Sequence, residues 1–271
     1  IEDVEVRKNY DPDYFIETEY YVPTEEVNHR IKDKSPFQWL IGYRDVTNAT
    51  NERTTIASIL PRVACDTNCR NIYSEIGTLK LCCLVGNLNS IVFDYFARQK
   101  IIGLHLNAGT LEQLPMLHPS QFDKKIQEII IPILMELCFF SWDIKPFADD
   151  IWIDADSDLK ASITKQWNNN KELTGGNEWT PPDWCTINSD GCPLPPFMWH
   201  EERRALLKAE LDVTFAQLYG ITIEELRYIL DPQDVYGSEF PGETFRVLKE
   251  KEIRNFGEYR TKRLVLDAWR K

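Results

Sequence analysis

The feature that most constrains this chain is a change of hydrophobic period between residues 61 and 79. Before it, apolar residues fall in short runs rich in β-branched and aromatic side chains: DYFIETEYYV (13–22), FQWLIGYRDV (37–46) and TTIASILP (54–61). Such runs suit strands, where a pleated, half-buried surface accommodates branched and ring side chains. The last two are joined by TNATNER, an Asn/Thr cluster able to bond its own backbone. A β-hairpin with an exposed, hydrogen-bond-rich tip at 47–53 is therefore expected. After the change, Leu81, Leu84, Val85, Leu88, Ile91, Val92 and Phe96 keep helical spacing along 79–100. That helix ends in ARQK, and cations suit a helix C-terminus.

The stretch IIGLHLNAGTLEQLPML reads as short strands around Gly103 and Gly109 with a stop at Pro115. Next comes SQFDKKIQEIIIPILMELCFFSWDI, an amphipathic helix that Pro132 is expected to kink or divide. Residues 154–196 collect DADSD, WNNN, TGGN, TPPD, NSDG and PLPP, the composition of an irregular acidic insertion. From Trp199 the chain is helical, with a Thr222/Glu225 capping box and a stop at Gly257. The fold class expected is α+β. A mixed α/β module occupies 1–118, and a mainly helical module at 119–271 carries the acidic insertion at about 154–196.

Charge sharpens this division. The whole chain holds 31 Lys/Arg and 43 Asp/Glu, a net −12, which taken alone argues against a nucleic-acid-binding surface. The acidity is local, however: residues 1–36 carry −5 and 119–198 carry −7, whereas 37–118 carry +1 and 199–271 carry −1. The near-neutral first module can therefore present a positive face. With 43% hydrophobic residues the chain folds rather than staying disordered. Its longest apolar run, Ile129 to Phe140, is 12 residues interrupted by Pro132 and Glu136, short of the roughly 20 that span a bilayer. The start, IEDVEVRKNYDPDYF, lacks the features of a signal peptide and, without a Met, reads as an excised or processed piece. Seven cysteines in no tight metal-knuckle spacing fit reduced thiols and a cytoplasmic location. Cys82 and Cys83 sit in an apolar run as small hydrophobes, which leaves Cys65, Cys69, Cys185 and Cys192 as the only metal candidates, and no metal site is expected.

Three near-motifs for catalysis fall short. Leu194–Phe197, LPPF, is similar to the NPPY loop of amino-methyltransferases, but Leu194 offers no acceptor for the amino group and no Gly-rich cofactor turn precedes it. Pro182-Asp183 is not followed by the ExK that a metal-dependent nuclease needs. His29, His105, His118 and His200 are isolated from any nucleophile pattern. No catalytic residue is assigned. Binding fares better. Arg44, Asn48, Thr50, Asn51 and Arg53 cluster at the hairpin, and Arg98, Gln99, Lys100, His105 and Asn107 lie at the helix end and beyond it. Arg, Lys, Asn and Gln read base edges, while Ser, Thr and Lys anchor to phosphates. The bland alternative is a set of solvated loops.

Four segments carry a resemblance: WLIGYRDVTNATNERTTIASILPRVA (39–64), LVGNLNSIVFDYFARQKIIGLHLNAGTLEQLPMLHP (84–119), PPFMWHEERRALLKAELDVTFAQLYGIT (195–222) and ELRYILDPQDVYGSEFPGETFRVLKEKEIRNFGEYRTKRLVLDAWRK (225–271). Together they cover over half of the chain. They resemble the C-terminal part of type IIG restriction-modification enzymes and related phage-defence adenine-specific DNA methyltransferases. The resemblance implies that 37–118 is the core of a target recognition domain for double-stranded DNA. It also implies that the helical remainder braces this domain against an upstream methyltransferase domain of the same polypeptide, which would hold S-adenosylmethionine. This chain would take no cofactor and be non-catalytic. Residues 154–194 depart from the pattern, and the FPGETFRVLKEKE and GEYRTKR stretches have no assigned role. A rival expectation is a protein-interaction or DNA-mimic module that docks through its acidic segments.

Overall fold

A computed structural model of the chain describes residues 10–14, 20–242 and 244–271. Three antiparallel strands, β1 (Trp39–Arg44), β2 (Ala57–Pro61) and β3 (Cys69–Ile72), form one sheet in the order β2-β1-β3. The expected hairpin is present, with Trp39 opposite Pro61 and Tyr43 opposite Ala57. The strand expected over 13–22 lies partly outside the described residues, and its described ends, 13–14 and 20–22, form no strand.

Alternation along β1 sends Trp39, Ile41 and Tyr43 toward the helices and Leu40 toward the other face. There Leu40 meets Val27 and Ile31 of α1 (Thr24–Ile31). On the open side of β2 no strand follows among the described residues. Instead the Asn89 amide donates to the Ala57 carbonyl (2.9 Å) and its oxygen accepts from the Ala57 N–H (3.0 Å).

Where one helix is expected over 79–100 there are two, α2 (Thr78–Asn89) and α3 (Ile91–Lys100), bent by 60° at Ser90. The Ser90 hydroxyl accepts from the Phe93 N–H and donates to the Asn87 carbonyl, capping one helix and closing the other. Apolar spacing continues through the one-residue break, so periodicity alone does not reveal it. Downstream, Gly109 lies in a single helical turn, α4 (Ala108–Leu111), rather than a strand. Near Gly103 the only strand-like pairing among the described residues is the Val46/His105 bridge.

Helix α5 (Lys124–Cys138) runs through Pro132 without starting a second helix. After α6 (Lys145–Asp154) comes the main departure from expectation, because Ser157–Thr174 is an 18-residue helix, α7, inside the supposed irregular insertion. Its Asp156 cap accepts from the Asp158 and Leu159 N–H groups, and Gly175 ends it at φ +89°. Leu159, Ile163, Trp167 and Asn170 form its buried face. Only residues 175–200 are irregular, and they are tied down. Trp167 donates to the Pro195 carbonyl, Asn177 to that of Pro196, and the Phe197 N–H to the Phe139 carbonyl.

The remaining helices are α8 (Glu201–Leu218), α9 (Ile223–Leu230), α10 (Gln233–Tyr236), α11 (Arg246–Phe256) and α12 (Arg260–Trp269). The Thr222/Glu225 capping box forms as read, and Gly257, at φ +76°, closes α11.

The fold is α+β with a small sheet and a mainly helical part. Its largest core cluster draws Trp39, Ile41 and Ile59 from the sheet, Leu81 and Val85 from α2, and Ile130, Ile163 and Phe215 from α5, α7 and α8. Stretches 1–118 and 119–271 therefore share this largest cluster, while a smaller one around Tyr43, Phe93 and Leu106 lies wholly within 1–118. The contact between the two stretches is close at Gly86, where a Cβ would lie 2.9 Å from the Phe215 ring. No single helix among the described residues is long and apolar enough to cross a membrane.

Candidate functional site

The expected recognition residues gather around the last turn of α3, and Arg98 organises them. Its Nε donates to Asp94 (3.1 Å), Nη1 to the carbonyls of Ala49 (2.8 Å) and Thr244 (2.7 Å), and Nη2 to those of Asn51 (2.7 Å) and Glu52 (2.8 Å). A guanidinium has five N–H donors, and all are engaged. The side chain is 3% exposed, and the Phe245 ring centre lies 4.3 Å from its guanidinium carbon. Asp94, one helical turn earlier, accepts from the N–H groups of Thr54 (2.8 Å) and Thr55 (2.7 Å) and from the Thr55 hydroxyl. One i,i+4 ion pair thus grips both the carbonyls and the amides of the hairpin tip.

Arg98 is accordingly corrected from a candidate DNA contact to an internal clamp. Arg53 follows in part. Its Nη2 lies 3.3 Å from Asp212, which also accepts from the Ile91 N–H (2.7 Å), and its guanidinium lies 5.9 Å from the centre of the Phe245 ring. The tip expected to be exposed is mostly folded in. Thr47, Thr54 and Thr55 are buried, Asn48, Asn51 and Arg53 are half-buried, and Thr50 is exposed. Asn48 Oδ1 accepts from the Thr50 N–H and hydroxyl, Asn51 donates to Thr47, and the Thr54 hydroxyl donates to the Asn48 carbonyl. These side chains shape a turn before they can meet a partner.

At the root of the hairpin, buried Asp45 accepts from Arg70 (3.0 Å) and meets His105 Nδ1 at 3.0 Å. Burial acts to raise its carboxyl, but hydrogen bonds from Arg70 and His105 outweigh that and hold it below the ordinary value. Residues 101–107 run beside this root. The Thr47 N–H donates to the Leu104 carbonyl (2.9 Å), and the Leu106 N–H to that of Asp45 (2.8 Å). Gln99, Lys100, His105 and Asn107 are exposed on this strip, with Asn107 also capping α4. Arg44 is exposed too but stands apart. It pairs in register with Cys69 and points to the sheet face opposite Tyr43.

Several basic residues of the C-terminal helices pair with carboxylates. Lys249 meets Asp231 at 2.9 Å, Arg260 meets Glu202 at 2.8 Å, Lys262 meets Asp234 at 2.8 Å and Arg263 meets Glu258 at 2.8 Å. Arg246 lies 3.7 Å from Glu250. A cleft of about 400 Å³ bordered by Ile223, Arg227, Asp234 and Lys262 is lined by charges that already pair with one another. The acidic group Glu128, Asp156 and Asp158 surrounds the Lys124 ammonium, 2.9 Å from Asp156 and 2.8 Å from Asp158.

Among the cysteines, Cys82 and Cys83 are buried as read, and a hydrogen bond from Cys69 brings the Cys65 thiol down to about 7. His118 and His200 cap helices through their ring nitrogens. Sequence reasoning missed Asp94, Asp212 and the Thr244-Phe245 pair. The signal that was available is the Asp94/Arg98 spacing inside an otherwise apolar helix.

No family model matches the chain, and neither the curated proteins nor the solved structures contain a match to it.

Proposed function

We propose that this chain confers DNA sequence specificity on an S-adenosylmethionine-dependent adenine-specific DNA methyltransferase, or on a methyltransferase with a nuclease, and is not catalytic by itself. The observation that carries the reading is a rigid frame that leaves an exposed, donor-rich strip. The Asp94/Arg98 clamp fixes the tip, and beside it Gln99, Lys100, His105, Asn107 and Thr50 reach solvent. Binding residues on loops held by a scaffold are the usual arrangement for recognition. Lys100 has no acidic partner among the described residues and suits a phosphate, while Gln99 and Asn107 suit base edges. Arg53 and Arg98 support the tip instead of touching DNA. The resemblance of 39–64 and 84–119 to target recognition domains points the same way.

The LPPF segment does not fit the role of a base-holding loop. Phe197 is 1% exposed, and the Pro195 and Pro196 carbonyls are occupied by Trp167 and Asn177. No methyl-transfer step is therefore drawn through this chain, and S-adenosylmethionine belongs to an upstream domain. The test is selection of duplexes from a random pool by the purified chain. A recovered consensus is expected, together with Lys100→Ala binding that is weaker on every sequence and has a salt slope lower by about 1. Failure to enrich any sequence, or methyl transfer by the chain alone, overturns the reading.

A further inference from the structure

Between the buried anchors Ile101 and Leu106, 8% and 1% exposed, the chain makes a short protrusion whose side chains are the reverse of what a solvated loop holds. Ile102 is 97% exposed and Leu104 is 59% exposed. Gly103 between them sits at φ +92°, a conformation that L side chains rarely adopt, so the turn presenting the two apolar side chains depends on glycine. The protrusion is not loose. Its base is fixed by the Thr47-to-Leu104 and Leu106-to-Asp45 hydrogen bonds and by the Val46/His105 bridge. From Gln99 to Leu111 the only formally charged side chain is Lys100, and the nearby Asp45 carboxylate is buried and taken up by Arg70 and His105. Projecting apolar groups next to an exposed ammonium suit a partner that is anionic outside and apolar at one defined point. In the major groove of duplex DNA the apolar group on a base edge is the thymine 5-methyl, flanked by phosphates.

We infer that Ile102 and Leu104 read thymine by packing on its 5-methyl group in the major groove, with Lys100 on a neighbouring phosphate. This rests on the DNA-reading proposal above and adds to it a base identity. It assigns the hydrogen-bonding side chains to other positions of the site.

The test uses the duplex selected by the 271-residue chain and a series in which each thymine in turn is replaced by deoxyuridine, which removes the methyl and leaves base pairing intact. Affinities are read by fluorescence anisotropy at one salt concentration. At one or two positions the replacement should weaken binding by about fourfold per methyl lost. The double variant Ile102→Ala/Leu104→Ala should lose that discrimination, and Lys100→Ala should keep it while binding all duplexes less tightly. Both apolar side chains are exposed, so the double variant keeps the fold. Three outcomes overturn the thymine assignment and leave DNA reading standing: a selected site without thymine, indifference to deoxyuridine at every position, or a double variant with the wild-type deoxyuridine response. A chain that selects no sequence overturns both. A double variant that binds and discriminates DNA like the wild type, but no longer holds its upstream domain, would instead assign the protrusion to a protein contact.

Discussion

Arg98 and Glu136 are both buried charged hubs, and they do opposite work. Arg98 donates mainly to backbone carbonyls, and those carbonyls belong to residues with no regular secondary structure. Glu136, on α5, accepts from side chains: Arg203 on α8 (2.8 Å) and Gln166 (2.7 Å) and Asn170 (2.9 Å) on α7. The carboxylate joins helices that already exist, whereas the guanidinium gives shape to a segment that has no shape of its own. Because Arg98 and Asp94 hold the tip mainly by main-chain atoms, exposed side chains beside it such as Gln99 and Lys100 are free to change without altering the frame. A recognition surface needs that separation of frame from contact.

The largest expected effect tests the frame. Arg98→Ala leaves Asp94 buried without its partner and frees several carbonyls, and should cost about 3–5 kcal/mol in chemical denaturation. It should also collapse hydrogen-exchange protection at the Thr54 and Thr55 amides. Glu136→Gln keeps the shape of the other hub but removes its charge, and should cost about 2 kcal/mol with tip protection unchanged. Equal loss of tip protection in both variants would erase the distinction between the two hubs.

Asp45 gives a smaller, pH-dependent test at the edge of the tip. Its folded carboxyl lies below the ordinary value of 3.8, burial being outweighed by Arg70 and His105. The folded state therefore binds fewer protons than the unfolded one as pH falls through this range. The stabilisation from Asp45 is full above about 3.8 and is lost as pH drops through the folded value. The stability gap between wild type and Asp45→Asn should narrow on acidification, and a gap that is constant with pH would remove Asp45 from the frame. The smallest effect is expected at the contact layer, where Thr50→Ala and Lys100→Ala should each stay within about 0.5 kcal/mol of wild-type stability.

The parts of the fold legible in the sequence are those determined locally. The hairpin follows from β-branched runs flanking an Asn/Thr loop, and Thr222, Glu225 and Gly257 mark helix ends by capping chemistry that acts within a turn or so. Helix α7 was obscured because its buried face, Leu159, Ile163, Trp167 and Asn170, is thin, while its outer face carries the Asn, Asp and Lys of an irregular segment. For the site, composition located the neighbourhood but not the roles. Arg98 and Lys100 are alike as residue types, yet one is enclosed and the other free. What encloses Arg98 is residues 49–55 and 244–245, contributed by distant parts of the chain. Only the Asp94/Arg98 spacing offered a local hint.

The Asn89 amide at the side of β2 has a bearing on self-association. It mimics a peptide group, presenting an acceptor and a donor to Ala57 just as a fourth strand would. An exposed strand edge is a template on which another chain can extend the sheet. With Ala57 already engaged, and β2 only five residues long, this side of the sheet gives an incoming copy little ladder to start on. The hairpin that frames the tip is thereby kept from polymerising through its own backbone.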